Sequence, residues 1–243
     1  MNWPYTTKTS PRTETKFTDA ATVDVLVKGV LMSKIAVFGG NGFAGSAIAK
    51  EARTRGHEVT TVSRTAQSNS DAHAVQGSLH DANTVEQITT ANDVVVVAIP
   101  AREIDGKKLL DAVATLTDAA ARNGARIAVV GGAGSLLVAE GGPRVVDTPD
   151  FPDAYKDEAL AHADVLDALR NTSSDVDWFY VSPAALFGAH TGIPAKGSFQ
   201  IGGDILLTDD EGNSAISGED YARAFVDEIE TPAHRRQRFT VAH

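Results

Sequence analysis

A glycine-rich segment between an apolar run and a helix-forming run constrains the fold of this chain more than any other feature. Residues 35–38 predict a buried strand, and residues 44–55 carry apolar side chains at helical spacing. The glycines between them fit the pattern G-x-x-G-x-x-G at Gly39, Gly42 and Gly45. Such glycines allow a sharp strand-to-helix turn, a close approach of a pyrophosphate to backbone N–H groups, and tight packing of helix on strand. The segment predicts a dinucleotide-binding turn, with a glycine-rich turn that binds nothing as the alternative.

Apolar runs and helical patterns alternate from Lys34 onward, which is typical of parallel strands joined by helices. We predict strands at Ile35–Phe38, Glu58–Val62, Ala74–Gln76, Asp93–Ile99, Arg126–Val130 and Asp177–Val181. We predict helices at Ala44–Arg55, Ala82–Thr90, Ile104–Asn123, Pro152–Leu169 and Gly218–Glu228. Short strands are expected near the end of the chain at Phe199–Leu207, Ser214–Ser217 and Arg238–Val241. This order predicts an α/β fold with a doubly wound parallel sheet (a Rossmann fold) and a small C-terminal elaboration on the substrate side.

The first 31 residues differ in composition from the rest of the chain. Thr and Ser dominate residues 6–18, and apolar character is limited to residues 23–31. Two explanations are open: an N-terminal extension, or a start codon upstream of a natural initiator at Met32. In both, we expect residues 1–31 to be poorly ordered and to take no part in the chemistry. Residues 32–243 are expected to form one NAD(P)-binding domain.

Composition excludes several classes of function. The chain has no cysteine, which excludes disulfides, a thiol nucleophile and Cys-ligated metals, and we predict no metal site. The formal charge is −10, which repels a phosphate backbone, so no nucleic-acid partner is expected. The apolar run over 94–99 is far shorter than the ~20 residues that a membrane helix needs. The N-terminus also lacks the apolar core of a secretory signal, so we predict a cytoplasmic protein that does not associate with membranes.

The end of the second predicted strand indicates which dinucleotide is preferred. A site selective for NAD has a carboxylate about 20 residues beyond the glycines, where it accepts a hydrogen bond from the ribose 2′-OH. Residues 61–67 contain no acidic side chain, but Arg64 lies 19 residues beyond Gly45, with Ser63 beside it. A guanidinium can pair bidentately with a 2′-phosphate. The sequence therefore favours NADP(H) over NAD(H), with a solvated surface arginine as the alternative.

Small residues follow two further predicted strands, and they extend the candidate cofactor site. In a doubly wound sheet, ligands lie at the carboxyl ends of the strands, and small side chains let a flat cofactor lie against the backbone. These residues are also compatible with simple tight turns. With the glycine turn and the end of strand two, the predicted cofactor residues are Gly39, Asn41, Gly42, Phe43, Ala44, Ser63, Arg64, Ala98, Ile99, Pro100, Gly131 and Gly132.

Five segments give the chain a family resemblance. They are Lys34–Gly42, Val129–Leu136, Asp177–Phe187, Ile216–Ala222 and Arg238–Val241. On these segments, residues 32–243 resemble the atypical short-chain dehydrogenase/reductase superfamily, and within it the NADH–flavin reductase group, close to the NmrA-like and biliverdin/flavin-reductase-like proteins. The resemblance implies NAD(P)H binding and hydride transfer to a small molecule. It also implies that Ser182 and Pro183 contact the nicotinamide side of the cofactor.

The chain departs from the superfamily at the catalytic pair. Short-chain dehydrogenases usually carry Tyr-x-x-x-Lys, in which the lysine lowers the pKa of the tyrosine. Here Tyr155 lies on the expected helix, but Ala159 occupies the fourth position after it, and Lys156 points to a different helical face. Tyr155 is therefore a candidate proton donor or a packing residue. Ser135 is likewise a candidate to polarise the acceptor, as in relatives, or a residue bonded within a glycine turn.

Three functions remain open from the sequence. The leading one is an NADPH-dependent reductase that delivers hydride to a flavin or a similar flat conjugated acceptor, a reaction that needs little help from side chains beyond orientation. The second is a non-catalytic, NmrA-like NADP sensor that regulates a partner protein. The third keeps catalysis but uses a sugar-nucleotide or quinone-type acceptor. The partner expected in the leading case is a small molecule, and the sequence fits a monomer and a homodimer equally.

Overall fold

An eight-stranded sheet organises the chain, in the strand order β3-β2-β1-β4-β5-β6-β8-β7. The computed structural model describes residues 32–65 and 73–243, so the predicted N-terminal extension over 1–31 lies outside the described residues. The strands are β1 Lys34–Phe38, β2 Glu58–Ser63, β3 Ala74–Gln76, β4 Val94–Val97, β5 Arg126–Val130, β6 Trp178–Ser182, β7 Gln200–Gly202 and β8 Gln237–Ala242. Neighbouring strands pair in parallel except β7, which pairs antiparallel with β8.

Helices cover both faces of the sheet. They are α1 Phe43–Thr54, α2 Ala82–Ala91, α3 Leu110–Asn123, α4 Lys156–Arg170 and α5 Gly218–Glu230. Alternate residues of each strand feed two apolar layers: Ile35 and Val37 pack with α1 and α5, whereas Ala36 and Phe38 pack with α2, α3 and α4. Strands buried on both faces need continuous apolar sequence, and this is why runs such as 94–97 gave such clear signals. The predicted doubly wound fold is confirmed.

The strand order places a crevice beside β1. From β1 the chain continues to β2 and β3 on one side and to β4 on the other, which makes the carboxyl ends of β1 and β4 the point where strand order reverses. Ligands of open α/β sheets bind at such points. The helices of residues 32–65 and 73–243 are too short or too polar to cross a membrane.

The prediction of a helix from Ile104 was wrong in its first turn and a half. Helix α3 begins at Leu110, and Ile104 pairs instead with Lys107 across a tight antiparallel turn. The two central residues, Asp105 and Gly106, have φ of 55° and 73°, the sign pattern of a type I′ hairpin turn. Left-handed residues cannot continue an α-helix, so the helix is delayed until after the turn.

Other predicted elements are also shorter than expected, among them the strand predicted at Phe199–Leu207, which is reduced to β7 (Gln200–Gly202). The helix predicted from Pro152 starts at Lys156 and is preceded by a single 3₁₀ turn over 153–155. The strand predicted over 214–217 is reduced to one bridge between Ala215 and Leu186. The C-terminal elaboration is thus mostly loop, closed by the short edge strand β7.

The turn between β1 and α1 depends on two glycines that leave no room for a side chain. Gly39 has φ of 82°, and a Cβ there would lie 2.3 Å from the carbonyl oxygen of Ala98. A Cβ on Gly45 would lie 2.3 Å from the carbonyl oxygen of Gly39. Because these two residues have no Cβ, the start of α1 contacts the β1 turn and the end of β4 directly, as the sequence pattern predicts.

Replacing Gly45 by Ala is expected to destabilise the fold, although alanine is the better helix former. In an open helix this change adds roughly 0.5–1 kcal/mol of stability. Here the collision with the Gly39 carbonyl should lower the free energy of unfolding by roughly 1–3 kcal/mol. Urea denaturation measures the difference, with Ser46→Ala at the exposed neighbouring position as the control. A stability gain would show that α1 can move off the turn.

Candidate functional site

A first cavity of about 590 Å³ lies at the carboxyl ends of β1, β2 and β4. Its walls come from the glycine turn, the end of β2, the loop before α2 and the loop between β4 and α3. The structure brings together here the following residues of the predicted cofactor set: Gly39, Gly42, Ser63, Arg64, Ala98, Ile99 and Pro100. Asn41, Phe43 and Ala44, which belong to the same set, follow the turn but do not line this cavity.

The N-terminus of α1 opens into the first cavity at Gly42. Gly42 occupies the N-cap position, and no side chain caps the helix. No acidic residue lies in the first turn of α1. The first amides of a helix carry a partial positive charge, and without a side-chain cap they can bind an anionic group. This end of the cavity fits the pyrophosphate of a dinucleotide.

Basic side chains also line the first cavity. Arg64, Lys107 and Arg102 line it together with His80, in a protein whose formal charge is −10. Partial burial and then the nearby Lys107 lower the pKa of His80, Asp111 opposes them, and Arg64 lowers it further, so the charges of Lys107 and Arg64 both act on this side chain. These basic side chains fit a phosphate.

Arg64 is held at the cavity edge by an ion pair. Its Nη1 lies 2.8 Å from Oδ2 of Asp105, and both side chains are largely exposed. The adjacent Ser63 donates its hydroxyl hydrogen to the carbonyl oxygen of Thr65 at 2.8 Å. The sequence analysis missed Asp105 and Lys107 because it placed them on a helix. The Asp-Gly pair at 105–106, a strong signal for a type I′ turn, could have found them.

A second cavity of about 450 Å³ lies beyond the carboxyl ends of β5 and β6. Gly131, Gly132, Pro183 and Tyr155, all predicted site residues, line it. Ser182 does not line it, because it is fully buried and donates its hydroxyl hydrogen to the carbonyl oxygen of Gly132 at 2.9 Å. This bond fixes the Gly132 segment, and the contact of Ser182 with a cofactor stays a prediction.

The two predicted catalytic residues have different surroundings. The ring of Tyr155 is half exposed at the mouth of the second cavity and stacks on His190 with centroids 6.3 Å apart. Ser135 lines neither cavity, and its Oγ accepts a hydrogen bond from Nη1 of the buried Arg238 at 2.9 Å. Ser135 therefore joins the start of the loop after β5 to β8, and the structure does not bring it to Tyr155.

Glu158 on α4 joins the walls of the two cavities, and the sequence analysis did not identify it. The carboxylate lines the second cavity and accepts hydrogen bonds from the backbone N–H of Ala101 at 2.7 Å and from Nη1 of Arg102 at 2.8 Å. It also lies 3.2 Å from Nε2 of His162, one helical turn away. Partial burial opposes ionisation, but the bonds from His162, Ala101 and Arg102 outweigh it and lower the pKa of Glu158 to about 2.

His162 completes this arrangement at the back of the second cavity. It is mostly buried, lines the cavity, and packs beside Gly132 and the ring of Tyr180. The Tyr180 hydroxyl accepts from the N–H of Gly132 at 3.0 Å and donates to the carbonyl oxygen of His162 at 3.2 Å. Nδ1 of His162 is buried without a hydrogen-bond partner. An i, i+4 Glu–His pair facing a cavity is the sequence signal that could have marked it.

The fold and the two cavities define a Rossmann-like protein with a ligand cleft at the switch point of its sheet. Residues 39–232 match a family model described as NAD(P)H-binding, and the chain belongs to this family. The uncharacterized protein YwnB of Bacillus subtilis (strain 168) is 38% identical over 219 residues, which are 86% of this chain and 97% of YwnB.

Two solved structures are similar over nearly their whole length. One, from Streptococcus pneumoniae TIGR4, is named "a putative NADH-flavin reductase"; it is 35% identical with a TM-score of 0.77 and covers 87% of this chain and 99% of its own. The other, from Burkholderia pseudomallei, is named "Putative exported protein"; it is 42% identical with a TM-score of 0.76 and covers 87% of this chain and 100% of its own. The family resemblance seen in the sequence is thereby confirmed.

The Glu158 network predicts a specific acid sensitivity. Because folding lowers the pKa of Glu158 from 4.5 to about 2, its contribution is complete above the unfolded pKa and is lost as the pH falls toward 2. A fall of about 2.5 in the pKa of Glu158 corresponds to at most roughly 3.5 kcal/mol, less what solvent screens. We expect the free energy of unfolding to fall more steeply between pH 5 and 2 in the wild type than in Glu158→Gln. Urea denaturation at several pH values measures this. The same pH dependence of the free energy of unfolding in both proteins would contradict the prediction.

Proposed function

We propose that the protein is an NADPH-dependent reductase that delivers hydride to a flavin or a similar flat conjugated acceptor. The observation that carries the proposal is the pair of cavities, one lined by basic side chains and a helix N-terminus, the other lined by apolar side chains, with Glu158 in contact with both walls. Supporting it, a Streptococcus pneumoniae relative 35% identical to this chain is named a putative NADH-flavin reductase.

The first cavity supports the cofactor half of the proposal. The uncapped start of α1 would bind the pyrophosphate at Gly42, which lines the cavity and has no side chain to keep a ligand from the backbone. Arg64 at the end of β2 would pair with the 2′-phosphate of NADPH. When bound, the nicotinamide supplies the hydride, and the chain's own residues orient it.

The second cavity supports the acceptor half. Its walls carry apolar and aromatic side chains, among them Val145, Phe151, Leu186 and Phe187, which suit a flat conjugated ring system. Phe43, at the start of α1, contacts Phe187 edge-on with centroids 5.2 Å apart, so the wall of the second cavity reaches the glycine turn. These residues exclude water and hold an acceptor beside the cofactor, which is the main requirement of such a transfer.

The missing Tyr-x-x-x-Lys pair supports an alternative, a non-catalytic NADP sensor of the NmrA-like kind. Ala159, at the position of the lysine, is buried and packs against the Gly134 segment, so the motif's lysine is missing four residues after Tyr155. Ser135 is already bonded to Arg238. The cytoplasmic location and a small-molecule partner stay predictions under both functions.

Replacing Arg64 by Ala should separate the two dinucleotides. A charge-assisted hydrogen bond is worth roughly 1.5–3 kcal/mol, so the Kd for NADPH should rise about 10- to 150-fold while that for NADH changes little. Titration calorimetry of both nucleotides measures this, and the control is Arg122→Ala, because Arg122 is exposed, pairs with Glu86 and lines neither cavity. Equal losses for NADPH and NADH would remove Arg64 from the 2′-phosphate site.

Turnover distinguishes the reductase from the sensor. We expect NADPH oxidation to require added free flavin and to persist in Tyr155→Phe within about threefold, because a group acting as general acid contributes roughly 100-fold or more. The absorbance of NADPH at fixed nucleotide concentration follows the reaction. Tight NADPH binding without flavin-dependent turnover would favour the sensor, and a hundredfold loss in Tyr155→Phe would make Tyr155 a proton donor.

A further inference from the structure

The tight turn at residues 104–107 forms one wall of the first cavity. Ile104, Asp105 and Lys107 all line the cavity, and the backbone of Ile104 and Lys107 is joined by reciprocal hydrogen bonds of 2.9 and 3.1 Å. Asp105 and Gly106 adopt left-handed conformations that fix the turn as a compact hairpin. The side chains on either side of Gly106 are therefore presented at defined positions and not on a freely moving loop.

This hairpin brings opposite charges to one place. Asp105 reaches across the cavity edge to Arg64, 41 residues earlier in the chain, at 2.8 Å. Lys107, on the other arm of the hairpin, lines the same cavity and acts electrostatically on His80, as Arg64 also does. Asp105 is the one carboxylate on the cavity wall as far as the described residues go.

A phosphate that binds to Arg64 would compete with the Arg64–Asp105 ion pair. The Asp105 carboxylate and a phosphate compete for the Arg64 guanidinium. Both are anions, so they would repel each other if Arg64 bound them at the same time. The Arg64–Asp105 pair is exposed on both sides, so it is weak enough to be displaced. Lys107 gives the phosphate a second cation that Asp105 does not engage in this structure.

We propose that the hairpin selects for adenosine bearing a 2′-phosphate, with Lys107 as a second cation for that phosphate and Asp105 as the internal anion that it displaces from Arg64. The proposal rests on the proposed dinucleotide site and deepens it by naming two specificity-determining residues outside β2. Asp105 keeps Arg64 neutralised while no 2′-phosphate is bound, so it limits the preference for NADPH, and Lys107 increases that preference.

The test compares Asp105→Asn and Lys107→Met with the wild type by titration calorimetry of NADPH and NADH. Asparagine tolerates the left-handed backbone of Asp105 but lacks its charge, so the hairpin is kept. We expect the ratio of the NADH Kd to the NADPH Kd to rise about two- to fivefold in Asp105→Asn. It should fall by about five- to fiftyfold in Lys107→Met. Lys108→Met, at the exposed neighbouring position outside the cavity, is the control and should leave the ratio unchanged.

A second probe separates failure of this inference from failure of the dinucleotide site. Adenosine 2′,5′-bisphosphate carries the 2′-phosphate without a nicotinamide, and it should follow the same order of affinities in the three variants. Wild-type protein that binds neither NADPH nor NADH would overturn the proposed function itself. Wild-type binding of NADPH with an unchanged ratio in both Asp105→Asn and Lys107→Met would overturn the hairpin's role alone.

Discussion

The contact of the α1 start with the ends of β1 and β4 determines the rest of the site. At Gly39 and Gly45 the backbone packs directly against neighbouring carbonyl oxygens, and a Cβ at either position would collide with them. This contact aims the uncapped N-terminus of α1 into the crevice where strand order reverses. The position of the first cavity, at the carboxyl ends of β1, β2 and β4, follows from that placement. Phe43, at the first position of α1, then carries the same constraint to the second cavity through its contact with Phe187.

Much of the fold could be predicted because its signals are local. Residues 94–97 are buried on both faces, so their sequence is continuously apolar and their strand is obvious. The glycine turn was found for the same reason: its chemistry lies within eight consecutive residues. The hairpin at 104–107 was missed because the apolar residues around it also fit helical spacing. Only the Asp-Gly pair at 105–106 marks the break in the sequence.

The site was predictable only where one segment supplies it. Gly39, Gly42 and Arg64 could be placed from their spacing to the strands, whereas Asp105 meets Arg64 from a separate loop. The bond between Ser135 and Arg238 joins residues 103 positions apart, and no local pattern announces it. Such pairings belong to the tertiary structure, so the sequence could suggest Ser135 as a catalytic residue but could not show that its hydroxyl bonds to the buried guanidinium of Arg238.

The Glu158 carboxylate connects the walls of the two cavities. One oxygen holds the backbone after β4, the other lies by Arg102, and the same group contacts His162 behind the second cavity. A shift of the 98–102 segment on one side must therefore either stretch these short bonds or carry the start of α4 with it. The wall of the first cavity and the wall of the second are therefore joined through a single side chain.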